Sequence, residues 1–126
     1  MTAPIAPRPL RWGFLSTANI GRRYWRAIRE SGNNVVVAVA SRDLARAQQF
    51  IDENQREAPM PTAPRALGSY EELLACPDID AVYLPVPTGL RAEWVIKAAR
   101  AGKHVLSEKP AACSAAQLAE ELAACR

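Results

Sequence analysis

Only one histidine and three cysteines occur in the 126 residues. Cys76, Cys113 and Cys125 form no Cys-x-x-Cys pair, and a lone histidine cannot complete a zinc set, so no metal site is expected. The thiols read as scattered, small, buried groups of a reducing compartment. No apolar run approaches the length of a membrane span. The stretch from Met1 to Pro9 carries several prolines and lacks the apolar core of a signal peptide. A loose, proline-stiffened leader over residues 1–9 of a cytoplasmic protein is expected. Repeats and low-complexity tracts are absent. Charge of neither sign dominates: a net +3 with 23% charged residues speaks against disorder and against a dedicated nucleic-acid binder.

What is present suits one compact domain over residues 10–126, because 49% of the chain is hydrophobic. Leu10 to Leu15 reads as a short apolar strand. Ile20, Tyr24, Ala27 and Ile28 then follow a helical spacing. Arg22, Arg23, Arg26 and Arg29 lie on the other side and read mostly as a solvated face. Ser31-Gly32-Asn33-Asn34 is a helix stop and turn. Val35 to Ala40 is a β-branched run suited to a strand buried on both faces. Leu44, Ala47 and Ile51 mark a second helix. Asn54 to Pro64, with Pro59, Pro61 and Pro64, reads as a loop, and Arg65 to Gly68 as an edge strand.

Further on, Ser69 to Glu72 fits a capping box opening a short helix that ends at Cys76-Pro77. Ala81 to Leu84 is a buried strand, Ala92 to Ala101 a helix stopped by Gly102, and His104 to Ser107 a fifth strand. Ser114 to Gln117 is a second capping box, opening a helix with Leu118, Leu122 and Cys125 on one face. Alternating strands and helices predict an α/β fold, a doubly wound parallel sheet. The dinucleotide-binding version has six strands in the order 3-2-1-4-5-6. Only five are present, so strand five is expected to leave a bare edge.

The first strand-to-helix turn is Ser16-Thr17-Ala18-Asn19-Ile20-Gly21. Laid over G-x-G-x-x-G it keeps only the third glycine, a weak match. Small residues still permit a tight turn whose N–H groups reach a pyrophosphate at the helix N-terminus. An ordinary βα turn without a ligand is the alternative. The residue that reads the adenosine ribose is expected about 20 positions on, which lands on Ser41, followed by Arg42. An acidic residue there would grip the ribose hydroxyls and repel a 2′-phosphate. A hydroxyl and a guanidinium favour that phosphate, so NADP is preferred to NAD.

Four stretches then resemble the glucose–fructose oxidoreductase, inositol dehydrogenase and rhizopine-catabolism family of Rossmann-type sugar dehydrogenases. They are Ser16 to Gly21, Val39 to Asp43, Asp78 to Thr88, and Ala101 to Pro110 with its Glu108-Lys109-Pro110 signature. The match runs from about Leu10 to the end. By that resemblance Lys109 is the catalytic lysine, bonding the reacting hydroxyl or carbonyl oxygen while hydride moves. Glu108 makes polar contact with the cofactor, and Leu84, Pro85, Pro87 and Thr88 lie along the nicotinamide ribose.

Two positions depart from the family's Pro-Asn-x-x-His pattern: Thr88 and Arg91 stand in place of its Asn and His. This variant is more similar to the subgroup acting on aldoses such as xylose or on cyclic dihydrodiols. His104, at the head of a strand, reads as structural. The resemblance also implies a second α/β domain with the substrate pocket, the oligomer interface and an Asp-x-x-x-His pair. This sequence contains neither that domain nor that pair. The expectation is therefore a cofactor domain of an NAD(P)-dependent oxidoreductase for a sugar-like alcohol or carbonyl, weakly binding and nearly inactive alone. The full-length protein is expected to form a homo-oligomer and to engage neither membrane nor nucleic acid. An NADP-binding sensor module without chemistry, or a truncated piece of a longer chain, is the alternative.

Overall fold

A computed structural model describes residues 8–126. The elements run β1 (Leu10–Leu15), α1 (Gly21–Ser31), β2 (Asn34–Ala40), α2 (Leu44–Glu57) and β3 (Arg65–Leu67). They continue with α3 (Tyr70–Leu74), β4 (Ala81–Leu84), α4 (Thr88–Arg100), β5 (His104–Ser107) and α5 (Ala115–Ala124). All strand pairs are parallel, in the order β3-β2-β1-β4-β5. The expected doubly wound order is therefore present up to its fifth strand. The chain reverses direction across the sheet at β1 and β4, which places their carboxyl ends at the crevice where such sheets hold ligands.

Alternation along each strand sends side chains into two cores. Phe14, Val36, Val39 and Tyr83 face α1 and α2, meeting Trp25, Ile28, Phe50 and Ile51. Leu15, Ala38, Ala40, Val82 and Leu84 face α3 and α4, meeting Leu73, Leu74, Trp94 and Val95. The β1–β2 register shifts between Trp12 and Gly13, so Trp12 pairs with Val36 and Gly13 with Ala38. Phe14 is fully buried and contacts Trp25 edge-on at 6.3 Å and Tyr83 at 5.2 Å between ring centres. Each large apolar side chain so buried contributes about 1.5–3 kcal/mol.

At the amino edge of the sheet, Asp80 ties elements together. Its carboxylate accepts from the guanidinium of Arg8 at 2.7 and 3.1 Å, and from the backbone N–H and guanidinium of Arg11 at 2.9 to 3.1 Å. Residues 1–7 of the expected leader lie outside the described residues, whereas Arg8 is held by this pair.

Several expectations need correction. Helix α2 runs on to Glu57, through the start of the expected loop, with Asn54 buried and donating to the Phe50 carbonyl at 2.8 Å. The prolines govern only from residue 58 onward, since Pro59 restricts the residue before it and nothing earlier. Helix α4 starts at Thr88 rather than Ala92, because Pro87 precedes its first turn and costs no hydrogen bond there.

Only half of each capping box forms: Ser69 Oγ accepts from Glu72 N–H and Ser114 Oγ from Gln117 N–H. Gln117 Oε1 accepts instead from the N–H of Cys113, one residue before the cap. Cys113 and Cys125 are exposed, not buried. Leu118 and Leu122 are 41% and 52% exposed, because α5 packs on α4 through its other face, where Glu121 is buried.

Candidate functional site

The turn after β1 is shaped by Ser16, whose φ of 124° lies in the region glycine favours. That position is the first glycine of the G-x-G-x-x-G pattern, and the backbone takes the glycine-like bend even with a side chain attached. Ser16 Oγ accepts from Ala18 N–H at 3.2 Å, and Gly21 N–H bonds the Ala18 carbonyl at 2.9 Å. Helix α1 opens without a side-chain cap and with no acidic residue in its first turn. An uncapped helix start presents N–H groups and the positive end of the dipole to an anion. Gly21 permits close packing: a Cβ there would sit 3.2 Å from Phe50 Cζ and 3.7 Å from the Phe14 ring.

Beyond β2, Ser41 is buried and its Oγ accepts from Asp43 N–H at 3.2 Å, which leaves its proton free to donate. Asp43 caps α2 by accepting from Ala45 N–H at 3.0 Å, so its carboxylate is engaged in the helix start. A cavity of about 530 Å³ lies between these two turns, lined by Ser16, Thr17, Ser41, Arg42, Asp43, Arg46, Tyr70 and Pro87. Arg42, just before the cap of α2, and Arg46, in its first turn, make no ion pair among the described residues. A second, more apolar cleft of about 280 Å³ adjoins it, lined by Arg42, Ser69, Tyr70, Glu71, Pro87, Leu90 and Trp94. Tyr70 packs edge-on against Trp94 at 5.0 Å. Burial raises the Tyr70 hydroxyl above its ordinary pKa, and the charge of Arg42 counters part of that.

Of the residues singled out from the sequence, Ser16, Thr17, Ser41, Arg42 and Pro87 thus meet around one cavity. Ala18, Asn19, Ile20 and Gly21 form the turn and helix start beside it. Leu84 and Pro85 are buried, Leu84 within the core. Thr88 begins α4. Glu108 and Lys109 follow β5, and the Lys109–Pro110 peptide is cis. Lys109 is exposed, and its ammonium has no partner among the described residues. Glu108 turns back against the sheet, where its carboxylate accepts from the Tyr83 hydroxyl.

Sequence reasoning missed Arg46 and Tyr70. Arg46 lies in the first turn of the helix that Asp43 caps, while Arg42 precedes that cap, so no helical spacing links the two in the sequence. Tyr70 gave no signal, since only the fold brings α3 beside the first turn. Among the described residues no cluster of histidine, cysteine and acidic side chains could hold a metal, and no helix is long and apolar enough to cross a membrane.

A parallel sheet in this order, with a glycine-like first turn and a basic second turn, defines a Rossmann dinucleotide-binding domain. The chain matches the oxidoreductase family with an NAD-binding Rossmann fold, GFO_IDH_MocA, over residues 10–126, and it belongs to that family. It is 45% identical over 113 residues to a dTDP-3,4-didehydro-2,6-dideoxy-alpha-D-glucose 3-reductase of Saccharopolyspora spinosa, covering 89% of this chain and 32% of the relative. It is 44% identical over 110 residues to D-xylose 1-dehydrogenase (NADP(+)) 2 of Haloferax volcanii, covering 87% and 32%. The crystal structure of KijD10, a 3-ketoreductase from Actinomadura kijaniata in complex with NADP, superposes with a TM-score of 0.83 at 36% identity. That superposition covers 94% of this chain and 36% of KijD10. The chain therefore spans about a third of the length of these relatives and is the family's NAD-binding domain.

Proposed function

We propose that this domain binds NADP, and that it serves the transfer of a hydride between the nicotinamide and a carbinol or carbonyl carbon of a sugar-like substrate. The carrying observation is the cavity shared by Ser16, Ser41, Arg42 and Arg46 at the carboxyl edge of the sheet. The pyrophosphate belongs at the uncapped start of α1, where N–H groups and the helix dipole favour an anion. The 2′-phosphate belongs between the Ser41 hydroxyl and the two guanidiniums, whose planar donors pair with phosphate oxygens. The adenine fits the neighbouring cleft, with the Arg42 plane on one side and Leu90 and Trp94 further in. NADP named in one relative and bound in KijD10 agrees with this preference.

The end of β5 would then lie against the nicotinamide. Lys109, exposed just beyond β5, is assigned the bond to the substrate oxygen, where an ammonium would offset the negative charge that grows as hydride moves. When bound, the cofactor supplies the hydride chemistry, while the chain supplies binding, orientation and this one charge. The sugar-like substrate and the acid–base partner belong to the remaining two thirds of the relatives' length.

The test is a fluorescence titration with NADPH and NADH. NADPH is expected to bind more tightly, and Arg42→Asp to invert the order. Equal affinities for both cofactors, before and after the change, would overturn the assignment of this second turn.

A further inference from the structure

We infer that Tyr83, Tyr24 and Arg91 are positioning residues that clamp the Glu108-Lys109-Pro110 segment from two sides and so fix where the Lys109 ammonium stands. This rests on the proposed role of Lys109 at the nicotinamide.

One jaw is on the α1 side of the sheet. The Tyr83 hydroxyl, from β4, donates to Glu108 Oε1. The Tyr24 ring, from α1, stacks on Tyr83 with centres 4.2 Å apart and planes at 30°. The hydrogen bond from Tyr83 holds the Glu108 carboxyl below its ordinary range. Burial, reinforced by Glu108, raises both phenols, so the pair stays phenol and carboxylate at neutral pH. The bond is charge-assisted and ties the residue before Lys109 to the core.

The other jaw comes from α4. Arg91 is 8% exposed, donates from Nε to the Val86 carbonyl at 2.9 Å, and from a terminal nitrogen to the Pro110 carbonyl at 2.6 Å. It stands where a histidine occurs in the resembling pattern, yet its donors are spent on backbone rather than turned outward. The buried Glu121 of α5 has an unpartnered Oε1 and feels the charge of Arg91. A buried guanidinium with two carbonyl partners and a carboxylate nearby is a structural anchor, and the backbone it holds is the one after Lys109.

Between the jaws Lys109 itself is exposed. A lysine stem has many rotamers, so its charge can be placed only by fixing the backbone that carries it. Displacement of a reacting group by about 1 Å costs about a hundredfold in rate, which gives the clamp its purpose.

The test compares the chain with Tyr83→Phe, Arg91→Gln and Arg91→Lys. Amide exchange at Glu108 and Cys113, whose N–H groups donate to the Leu84 carbonyl and to Gln117 Oε1 on either side of the segment, is expected to quicken about tenfold in the first two, the factor that one charge-assisted hydrogen bond carries. Exchange in β1 and β2 stays unchanged, and Arg91→Lys recovers part of the protection by keeping one donor. Affinity for 2′,5′-ADP, which reports only the adenosine half, holds in all variants, while the fluorescence enhancement of bound NADPH is lost in Tyr83→Phe and Arg91→Gln. Unchanged exchange at these amides overturns the clamp, as does equal loosening of the 2′,5′-ADP site. Should Arg91→Gln not fold, Tyr83→Phe, nearly isosteric, decides alone. If the unaltered chain binds neither ligand, the proposed cofactor role falls, and the exchange comparison still decides whether the segment is clamped.

Discussion

In the proposed 2′-phosphate site, Arg46 joins the Ser41–Arg42 pair that the sequence singled out. Both line the cavity beyond β2, and Arg46 also borders the smaller recess formed with Thr17, Arg22, Gln49, Phe50 and Glu53. Arg22 and Glu53 pair with each other across that recess, which leaves Arg46 free to face the larger cavity. Removing Arg46 therefore subtracts one guanidinium from a site that the 2′-phosphate alone would use. Arg46→Ala is expected to weaken NADPH binding about tenfold, the value of one charge-assisted bond, with NADH affinity unchanged in the same titration. A residue's neighbours in sequence foretold Ser41 and Arg42 because the strand end and its spacing fix them. Arg46 and Tyr70 depended on which face of α2 turns inward and on where α3 sits beside the first turn, and that is settled by packing.

At the scale of elements, helix α1 lies against the sheet through Gly21. Phe50, the atom-to-atom neighbour of a Cβ at that position, is itself wedged between Phe14 and Trp25 at 6.3 and 6.1 Å and has little room to yield. Gly21→Ala gains helix propensity but overpacks this contact, which costs about 1–3 kcal/mol. The net expectation is a loss of about 1 kcal/mol, read as a lower urea midpoint with an unchanged slope.

The amino edge carries a second prediction. Arg8 and then Arg11 hold the Asp80 carboxyl far below its ordinary pKa. A carboxyl depressed in the folded state stabilises fully above its unfolded pKa of about 3.9, and that stability drains away as the pH falls further. Asp80→Asn is expected to flatten the acid limb of stability against pH below about 4 in thermal melts. Strands were legible because their apolar runs are short and uninterrupted. Helix ends were less so: nothing in Pro85, Pro87 and Gly89 distinguishes a loop from the first turn of α4 until the turn is built.

For the molecule as a whole, the strand order leaves β5 at the edge with Leu106 41% exposed. An apolar side chain beside unpaired backbone groups invites another strand. Leu106→Lys is expected to raise the concentration at which this chain scatters light, without altering its circular dichroism. The fold class was legible from alternation and the order of strands from the dinucleotide-binding version of that fold, whereas the inward turn of Arg91 in the first turn of α4 and of Glu108 after β5 was not, since a polar residue at an element's end carries no periodic signal of burial.

The placement of β1 and β4 between β2 and β5 has one more consequence. Arg42 leaves the sheet one residue after Ser41 at the tip of β2, and Lys109 two residues after Ser107 at the tip of β5. Three inter-strand steps separate those tips, about 14 Å, and main-chain hydrogen bonding sets every step. With the proposed placement of NADP, the sheet would act as a ruler: backbone geometry, and no side chain, would gauge the reach from the adenosine phosphate to the hydride carbon.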